Sequence, residues 1–230
     1  MKFVEVYEMS RNLTELVFVI DKSGSMHGLE SDTIGGFNSM ISEQRETRSE
    51  LDEVLVSTVL FSDESDVVSD RIPINRIEPM TDSQYRVGGC TALLDTLGGA
   101  IRHIGNVHKY ARKEDVPDRT LFVVITDGLE NASRRYSHEE VRKLIDRQRD
   151  RYGWEFMFLG ANMDAVTEAT GLGFSSKNSV TYCCDSVGTS LNYNALGGAI
   201  SSFRSRGEID ENWKASIEED MRKRGGKRSR

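Results

Sequence analysis

Oxygen-bearing side chains occur in three separated stretches of the chain, each after an apolar run or at the start of a helical pattern. The first stretch contributes Asp21, Ser23 and Ser25, the second contributes Thr91 after a glycine pair, and the third contributes Asp127. Two carboxylates and three hydroxyls, with no paired imidazoles nearby, are hard ligands that suit a hard cation. These residue types predict a Mg²⁺ site, with Mn²⁺ or Ca²⁺ as alternatives.

Such a site requires the three stretches to meet, and the apolar runs indicate how they do so. Residues 16–20 and 121–125 are apolar on both alternating faces, as in parallel strands covered by helices on both sides. Ligands of open parallel sheets bind beyond the carboxyl ends of the strands, where Asp21 and Asp127 stand. Five segments are predicted as strands of the sheet: residues 15–20, 54–61, 121–125, 154–159 and 178–183.

One further segment, residues 67–77, alternates apolar and polar side chains and contains Pro73, which cannot donate to a sheet ladder. We predict an antiparallel edge strand there, joined to residues 54–61 by a short turn. Helical patterns lie between the strands, and Ser137 and Glu140 have the spacing of a capping box at the start of one helix. Three helices carry glycine pairs that we expect to let the helix backbones approach the sheet closely, at residues 35–36, 98–99 and 197–198.

The three oxygen-bearing stretches together resemble the metal-ion-dependent adhesion site of von Willebrand factor type A domains. The matching motifs are D-x-S-x-S at residues 21–25, a threonine after a glycine pair at Thr91, and T-D-G at residues 126–128. The resemblance covers nearly the whole chain in order and spacing. It implies an α/β fold, a Rossmann-like three-layer αβα sandwich whose six-stranded, mostly parallel sheet has one antiparallel edge strand. It also implies the metal ligands: Asp21, Ser23, Ser25, Thr91 and Asp127.

The resemblance further implies how such a site is used. Ser23 and Ser25 would touch the metal directly, Thr91 would do so in one state, and the aspartates would often act through water. One coordination position would remain for a glutamate or aspartate of a partner protein. A cation held by neutral hydroxyls keeps most of its charge at that position and attracts the incoming carboxylate.

Two other functions compete with a metal-dependent protein-binding module. One is a Mg²⁺-dependent hydrolase of the phosphatase type. The sequence lacks the DxD nucleophile pattern of such enzymes, because Ser23 occupies the third position of the pattern. Neither a phosphate-binding GxxxxGK[ST] motif nor an identifiable general base accompanies the candidate ligands. A nucleic-acid-associated scaffold would act through the basic residues 221–230. We predict a binding protein and no enzymatic activity.

Composition limits the class of protein further. The 230 residues include 37 acidic and 30 basic side chains, a formal charge of -7 and 37% hydrophobic residues, which predict a soluble globular protein without a membrane span. The opening residues lack the apolar stretch of a secretory signal and the three cysteines form no CxxC, so we expect a cytoplasmic location. We predict one domain over residues 1–205 and an extension over residues 206–230 with a basic, disordered end.

The remaining reactive side chains are predicted to be structural. We expect each cysteine to behave as a small buried hydrophobe, with Cys183 and Cys184 facing opposite sides of the last strand and Cys90 beside the metal loop. The histidines show no ligand spacing, and we expect all of them at the surface: His27, His103, His108 and His138.

Overall fold

A six-stranded sheet forms the centre of the protein. The computed structural model describes residues 12–47, 52–161 and 164–225. In chain order the strands are β1 (Asn12–Asp21), β2 (Asp52–Phe61), β3 (Ser65–Pro73), β4 (Arg119–Thr126), β5 (Glu155–Ala161) and β6 (Ser179–Tyr182). They lie side by side in the order β3-β2-β1-β4-β5-β6. The β2 and β3 strands are antiparallel, and every other neighbouring pair is parallel.

Helices cover both faces of this sheet. They are α1 (Glu30–Glu46), α2 (Leu93–Tyr110), α3 (His138–Tyr152), α4 (Ala165–Gly171), α5 (Ser186–Arg206) and α6 (Ala215–Gly225). Side chains of β1 alternate between the two layers: Leu16, Phe18 and Ile20 pack with α1, α5 and α6, whereas Val17 and Val19 pack with α2, α3 and α4. Burial on both faces explains the continuous apolar runs of the central strands. The predicted three-layer αβα architecture is confirmed.

The predicted strands are all present, with differences at their ends. The edge strand is shorter than predicted, because β3 ends at Pro73 and a short 3₁₀ turn, Ile74–Arg76, follows it. The predicted capping box is present at the start of α3, where Ser137 Oγ accepts from the backbone of Glu140 and the Glu140 carboxylate accepts from the backbone of Ser137. This reciprocal pair satisfies backbone donors that the first turn of a helix leaves free.

The order of the strands creates a switch point at the carboxyl ends of the central strands β1 and β4. The chain leaves β1 through α1 to reach β2 on one side, and it leaves β4 through α3 to reach β5 on the other side. The loops after these two central strands therefore diverge, which creates the switch point where open α/β sheets bind ligands. Asp21 is the last residue of β1, and Asp127 follows the last residue of β4.

The helical glycines make room for aromatic and other side chains, and the expectation of close approach to the sheet is wrong. A Cβ at Gly36 in α1 would lie 2.4 Å from the ring of Tyr193 in α5, and a Cβ at Gly98 in α2 would lie 2.8 Å from the ring of Tyr136. A Cβ at Gly197 in α5 would also meet side chains of α1. The glycines therefore permit close contacts between elements of one layer, which single-sequence patterns do not distinguish from contacts with the sheet.

The C-terminal extension packs against the same core as α5. Trp213 and Ile217 are buried in the cluster that also contains the α1 and α5 side chains. The basic residues 226–230 lie outside the described part of the chain, so the prediction of a disordered end stays a prediction. Among the described residues, no helix combines the length and apolar character needed to cross a membrane.

Candidate metal centre

Asp21 lies at the carboxyl end of β1 and is completely buried. Its Oδ1 accepts from the backbone N–H of Ser23 at 2.7 Å, and its Oδ2 accepts from the hydroxyl of Thr126 at 2.6 Å. Burial raises the pKa of Asp21 above that of an ordinary carboxyl, although the hydrogen bonds from Thr126 and Ser23 act in the opposite direction. A buried carboxylate of this kind gains from a neighbouring cation.

The two candidate serines connect this carboxylate to the loop after β4. Ser23 Oγ lies 3.1 Å from Ser25 Oγ, and Ser25 Oγ donates to Asp127 Oδ1 at 2.5 Å. Ser23 and Asp127 are buried, whereas Ser25 is exposed. Solvent therefore reaches the site at Ser25, whereas Ser23 and Asp127 are shielded from it.

Thr91 lies two residues before the start of α2 and is held by the loop that follows Asp127. Its backbone N–H donates to the side-chain oxygen of Asn131 at 2.8 Å, and its carbonyl accepts from the backbone of Asn131 at 3.1 Å. The carboxylate of Glu130 accepts from the backbone of Leu94 in the first turn of α2 at 2.8 Å. These contacts hold the buried Thr91 close to the loop that contains Asp127.

The oxygens of all three stretches surround one position beside Gly128. A Cβ built on this glycine would lie 3.1 Å from Thr91 Oγ1, 3.4 Å from Ser25 Oγ and 3.9 Å from Asp21 Oδ2. Together with the contacts of Ser23 and Asp127, this brings together all five residues that the sequence singled out. Any side chain larger than hydrogen at residue 128 would enter the space that these oxygens share.

The donor set fits a hard cation. Within the described ranges, no three His, Cys, Asp or Glu side chains form a group that could hold a metal by themselves. The candidate centre instead combines two carboxylates with three hydroxyls, which is an oxygen-only set of the type that suits Mg²⁺. Occupancy by a metal stays a prediction.

Cys184 also reaches the centre, which sequence reasoning missed. Its Sγ lies 3.5 Å from Asp127 Oδ2 in a thiol-to-carboxylate contact. The predicted arrangement of Cys183 and Cys184 on opposite faces of the last strand is wrong, because β6 ends at Tyr182 and both cysteines follow it. The available signal was that Cys184 follows a parallel strand, just as Asp21 and Asp127 do. Cys90 is exposed, contrary to expectation.

Two further residues support Asp21 and were not anticipated. Thr126 ends β4 and holds the carboxylate as described, while its Oγ1 accepts from the backbone N–H of Gly128 at 3.2 Å. The hydroxyl of Tyr85, a buried residue between β3 and α2, donates to the backbone carbonyl of Asp21 at 2.5 Å. Burial raises the pKa of Tyr85 well above its ordinary value, so the phenol remains a donor.

Several solved structures have a similar fold. A von Willebrand factor type A protein from Catenulispora acidiphila matches 82% of this chain and 43% of its own length, with 13% identity and a TM-score of 0.53. The von Willebrand factor domain of a type V pili tip protein from Porphyromonas gingivalis matches 88% of this chain and 99% of its own length, with 11% identity and a TM-score of 0.55. The PilB minor pilin from Streptococcus sanguinis matches 84% and 62% of the respective chains, with 10% identity and a TM-score of 0.58.

The likeness at this level of identity concerns the fold. The chain spans less than two thirds of the Catenulispora and Streptococcus proteins that it matches. No protein-family model and no curated protein matches the sequence. On the strand order, the layer arrangement and these structural matches, the chain has the fold of a von Willebrand factor type A domain.

Proposed function

We propose that the protein is a metal-dependent protein-binding module. Asp21, Ser23, Ser25, Thr91 and Asp127 would hold the divalent cation, Mg²⁺ in the first place and Mn²⁺ or Ca²⁺ as alternatives. An acidic side chain of another protein would complete the coordination. The observation that carries the proposal is the convergence of these side chains around the position beside Gly128.

The protein's own groups suit capture of an anionic side chain. Both carboxylates are already engaged as acceptors, Asp21 by Thr126 and Asp127 by Ser25. A bound Mg²⁺ would supply a concentrated positive charge that polarises its ligands and attracts a carboxylate. The exposed Ser25 leaves the approach to the site open.

The surroundings of the site favour binding over catalysis. His27, the histidine nearest to Ser25 along the chain, is exposed and pairs with Glu30 at 3.2 Å. Hydrolysis would require a positioned base close to the reacting water. Two of the similar structures are a minor pilin and a pili tip protein, and this supports a protein as the partner.

Affinity capture tests the proposal directly. EDTA is expected to release the proteins that the immobilised chain retains in Mg²⁺. The Ser23→Ala variant should retain at least about tenfold less of them, because it lacks one ligand of the cation. Ser205→Ala, an exposed serine in α5, is the control and should retain them. Recovery of the same proteins in EDTA would contradict the proposal. Phosphatase turnover by the Mg²⁺-loaded protein that Asp127→Ala abolishes would support the hydrolase instead.

Removal of the Thr126 hydroxyl gives a second prediction. Thr126→Val preserves the shape of a buried side chain but leaves Asp21 Oδ2 without its donor. Because partners of metal ligands orient them, we expect Mg²⁺ binding to weaken by about tenfold. Isothermal titration calorimetry measures this change. Thr120→Val, at the opposite end of the same strand, is the matched control, and equal Mg²⁺ affinity in the two variants would contradict the prediction.

A further inference from the structure

The segment that carries Thr91 is hydrogen-bonded to the loop that supplies the first candidate ligands. The backbone N–H of Gly88 donates to the carbonyl of Lys22 at 2.9 Å, and the carbonyl of Gly89 accepts from the backbone N–H of Gly24 at 3.0 Å. Surface loops usually make fewer such backbone contacts than helices and strands, and they are more mobile for that reason. These bonds therefore fix the segment from the side of β1.

A single residue, Asn131, engages both backbone polar groups of Thr91. Its Oδ1 accepts from the N–H of Thr91 at 2.8 Å, and its own N–H donates to the Thr91 carbonyl at 3.1 Å. Thr91 is buried, whereas Asn131 is exposed and follows Asp127 in the same loop. A buried backbone group that loses its partner costs free energy, because water does not replace the lost bond. Asn131 therefore ties the second candidate stretch to the third.

Glu130, the residue before Asn131, extends this connection into α2. Its Oε2 accepts from the backbone of Leu94 at 2.8 Å and from the hydroxyl of Ser133 at 2.7 Å. Its Oε1 accepts from the backbone N–H groups of Ala132 at 2.9 Å and Ser133 at 2.7 Å. An ionised carboxylate has about four lone-pair positions, and these donors occupy them. Glu130 is therefore engaged in holding the loop rather than in binding a cation.

Asp95, in the first turn of α2, makes a third connection to the same loop. Its Oδ1 accepts from the backbone N–H groups of Arg135 at 2.8 Å and Tyr136 at 2.9 Å, and its Oδ2 accepts from that of Arg134 at 2.9 Å. Burial acts to raise the pKa of Asp95, but these three hydrogen bonds outweigh it and lower the pKa below its ordinary value. The start of α2 and the loop after β4 are therefore one connected unit.

We propose that Asn131 is a positioning residue of the metal centre, which holds Thr91 beside Asp127 whether or not a metal or a partner is bound. This inference rests on the proposed function and concerns how its site is kept ready. The resemblance implied that Thr91 touches the metal in one state. The contacts of this chain favour a single arrangement instead, because withdrawal of Thr91 would break both of its bonds to Asn131. A site arranged in advance loses less free energy to ordering when it binds.

Isothermal titration calorimetry of the full chain with Mg²⁺ tests the positioning role. Asn131→Leu is similar in size but lacks the acceptor for the Thr91 N–H, and it should weaken Mg²⁺ binding by at least about tenfold. Asn131→Asp keeps an oxygen acceptor at the same position, and it should lose less than about threefold. Asn106→Leu, at an exposed position of α2, is the matched control and should bind Mg²⁺ like the wild type.

Hydrogen exchange separates a local effect from a general loss of stability. In EDTA, the Thr91 amide of the wild type should exchange at least about a hundredfold more slowly than in an unstructured peptide, because its bond to Asn131 forms without the metal. In Asn131→Leu the same amide should exchange at least about tenfold faster. The amides of Val19 and Val123, in the central strands β1 and β4, should keep their wild-type protection.

The outcomes that would overturn the proposal are distinguishable. Mg²⁺ binding that Asn131→Leu leaves unchanged, or that Asn131→Leu and Asn131→Asp weaken equally, would reject the positioning role but keep the metal-dependent module. A Thr91 amide that is unprotected in EDTA and becomes protected in Mg²⁺ would show that the metal orders the segment, against a single arrangement. Absence of Mg²⁺ uptake by the wild type would reject the proposed function itself, and this inference with it.

Discussion

Replacement of Asp127 by alanine is expected to abolish measurable Mg²⁺ uptake. The substitution removes one of the two carboxylates of the donor set and also the acceptor that holds Ser25 Oγ at 2.5 Å. Loss of a charged ligand together with the position of a hydroxyl ligand should weaken binding by more than about a hundredfold. Isothermal titration calorimetry with Mg²⁺ and with Mn²⁺ measures the change.

Thermal melting separates loss of the site from loss of the fold. A ligand at about 100 times its Kd stabilises the native state by about 2.7 kcal/mol, so the wild-type protein should melt at a higher temperature in Mg²⁺ than in EDTA. Asp127→Ala should lack this increase. In EDTA it should melt like the wild type, because loss of the Asp127 carboxylate also removes its electrostatic repulsion of Asp21. Glu114→Ala, an exposed carboxylate before β4, is the control. Unchanged Mg²⁺ uptake in Asp127→Ala would refute the assignment.

Replacement of Glu15 by alanine is expected to cause a large loss of stability. Glu15 lies inside β1 with no exposed surface, 3.2 Å from Arg71 Nε, and its other oxygen contacts the ring of His108. Both partners are largely buried at their side chains, so removal of the carboxylate leaves positive charge without a counterion in the interior. Breaking a buried pair in this way costs about 3–5 kcal/mol.

Urea unfolding measures this cost as the change in the free energy of unfolding. Glu139→Ala is the control, because it breaks the exposed Glu139–Lys143 pair of α3 and should change the free energy of unfolding little. A loss below about 1 kcal/mol in Glu15→Ala would show that the buried charges rearrange or become hydrated. The cluster also corrects the sequence analysis, which placed His108 at the surface.

The sequence by itself determined where the strands lie and allowed two of the candidate ligands to be placed together. Continuous apolar runs such as residues 16–20 indicated strands buried on both faces, and Pro73 indicated the antiparallel edge. Because the carboxyl ends of parallel strands share one edge, Asp21 and Asp127 could be placed together without coordinates. The resemblance added Ser23, Ser25 and Thr91 to these two. In the structure Thr91, Ser25 and Asp21 lie close to Gly128, and hydrogen-bond distances connect Ser25 to Ser23 and to Asp127.

Only the tertiary structure decided which side chains from distant parts of the sequence contact each other, at the candidate metal centre and in the core. Cys184 contacts Asp127 across 57 positions of the chain, and His108 contacts Glu15 across 93. Such contacts depend on where each helix crosses the sheet and on which face its side chains point, and periodicity does not specify either. The same reason hid the course of α6, in which Met221 contacts Cys183 just after β6 and Arg224 pairs with Asp185.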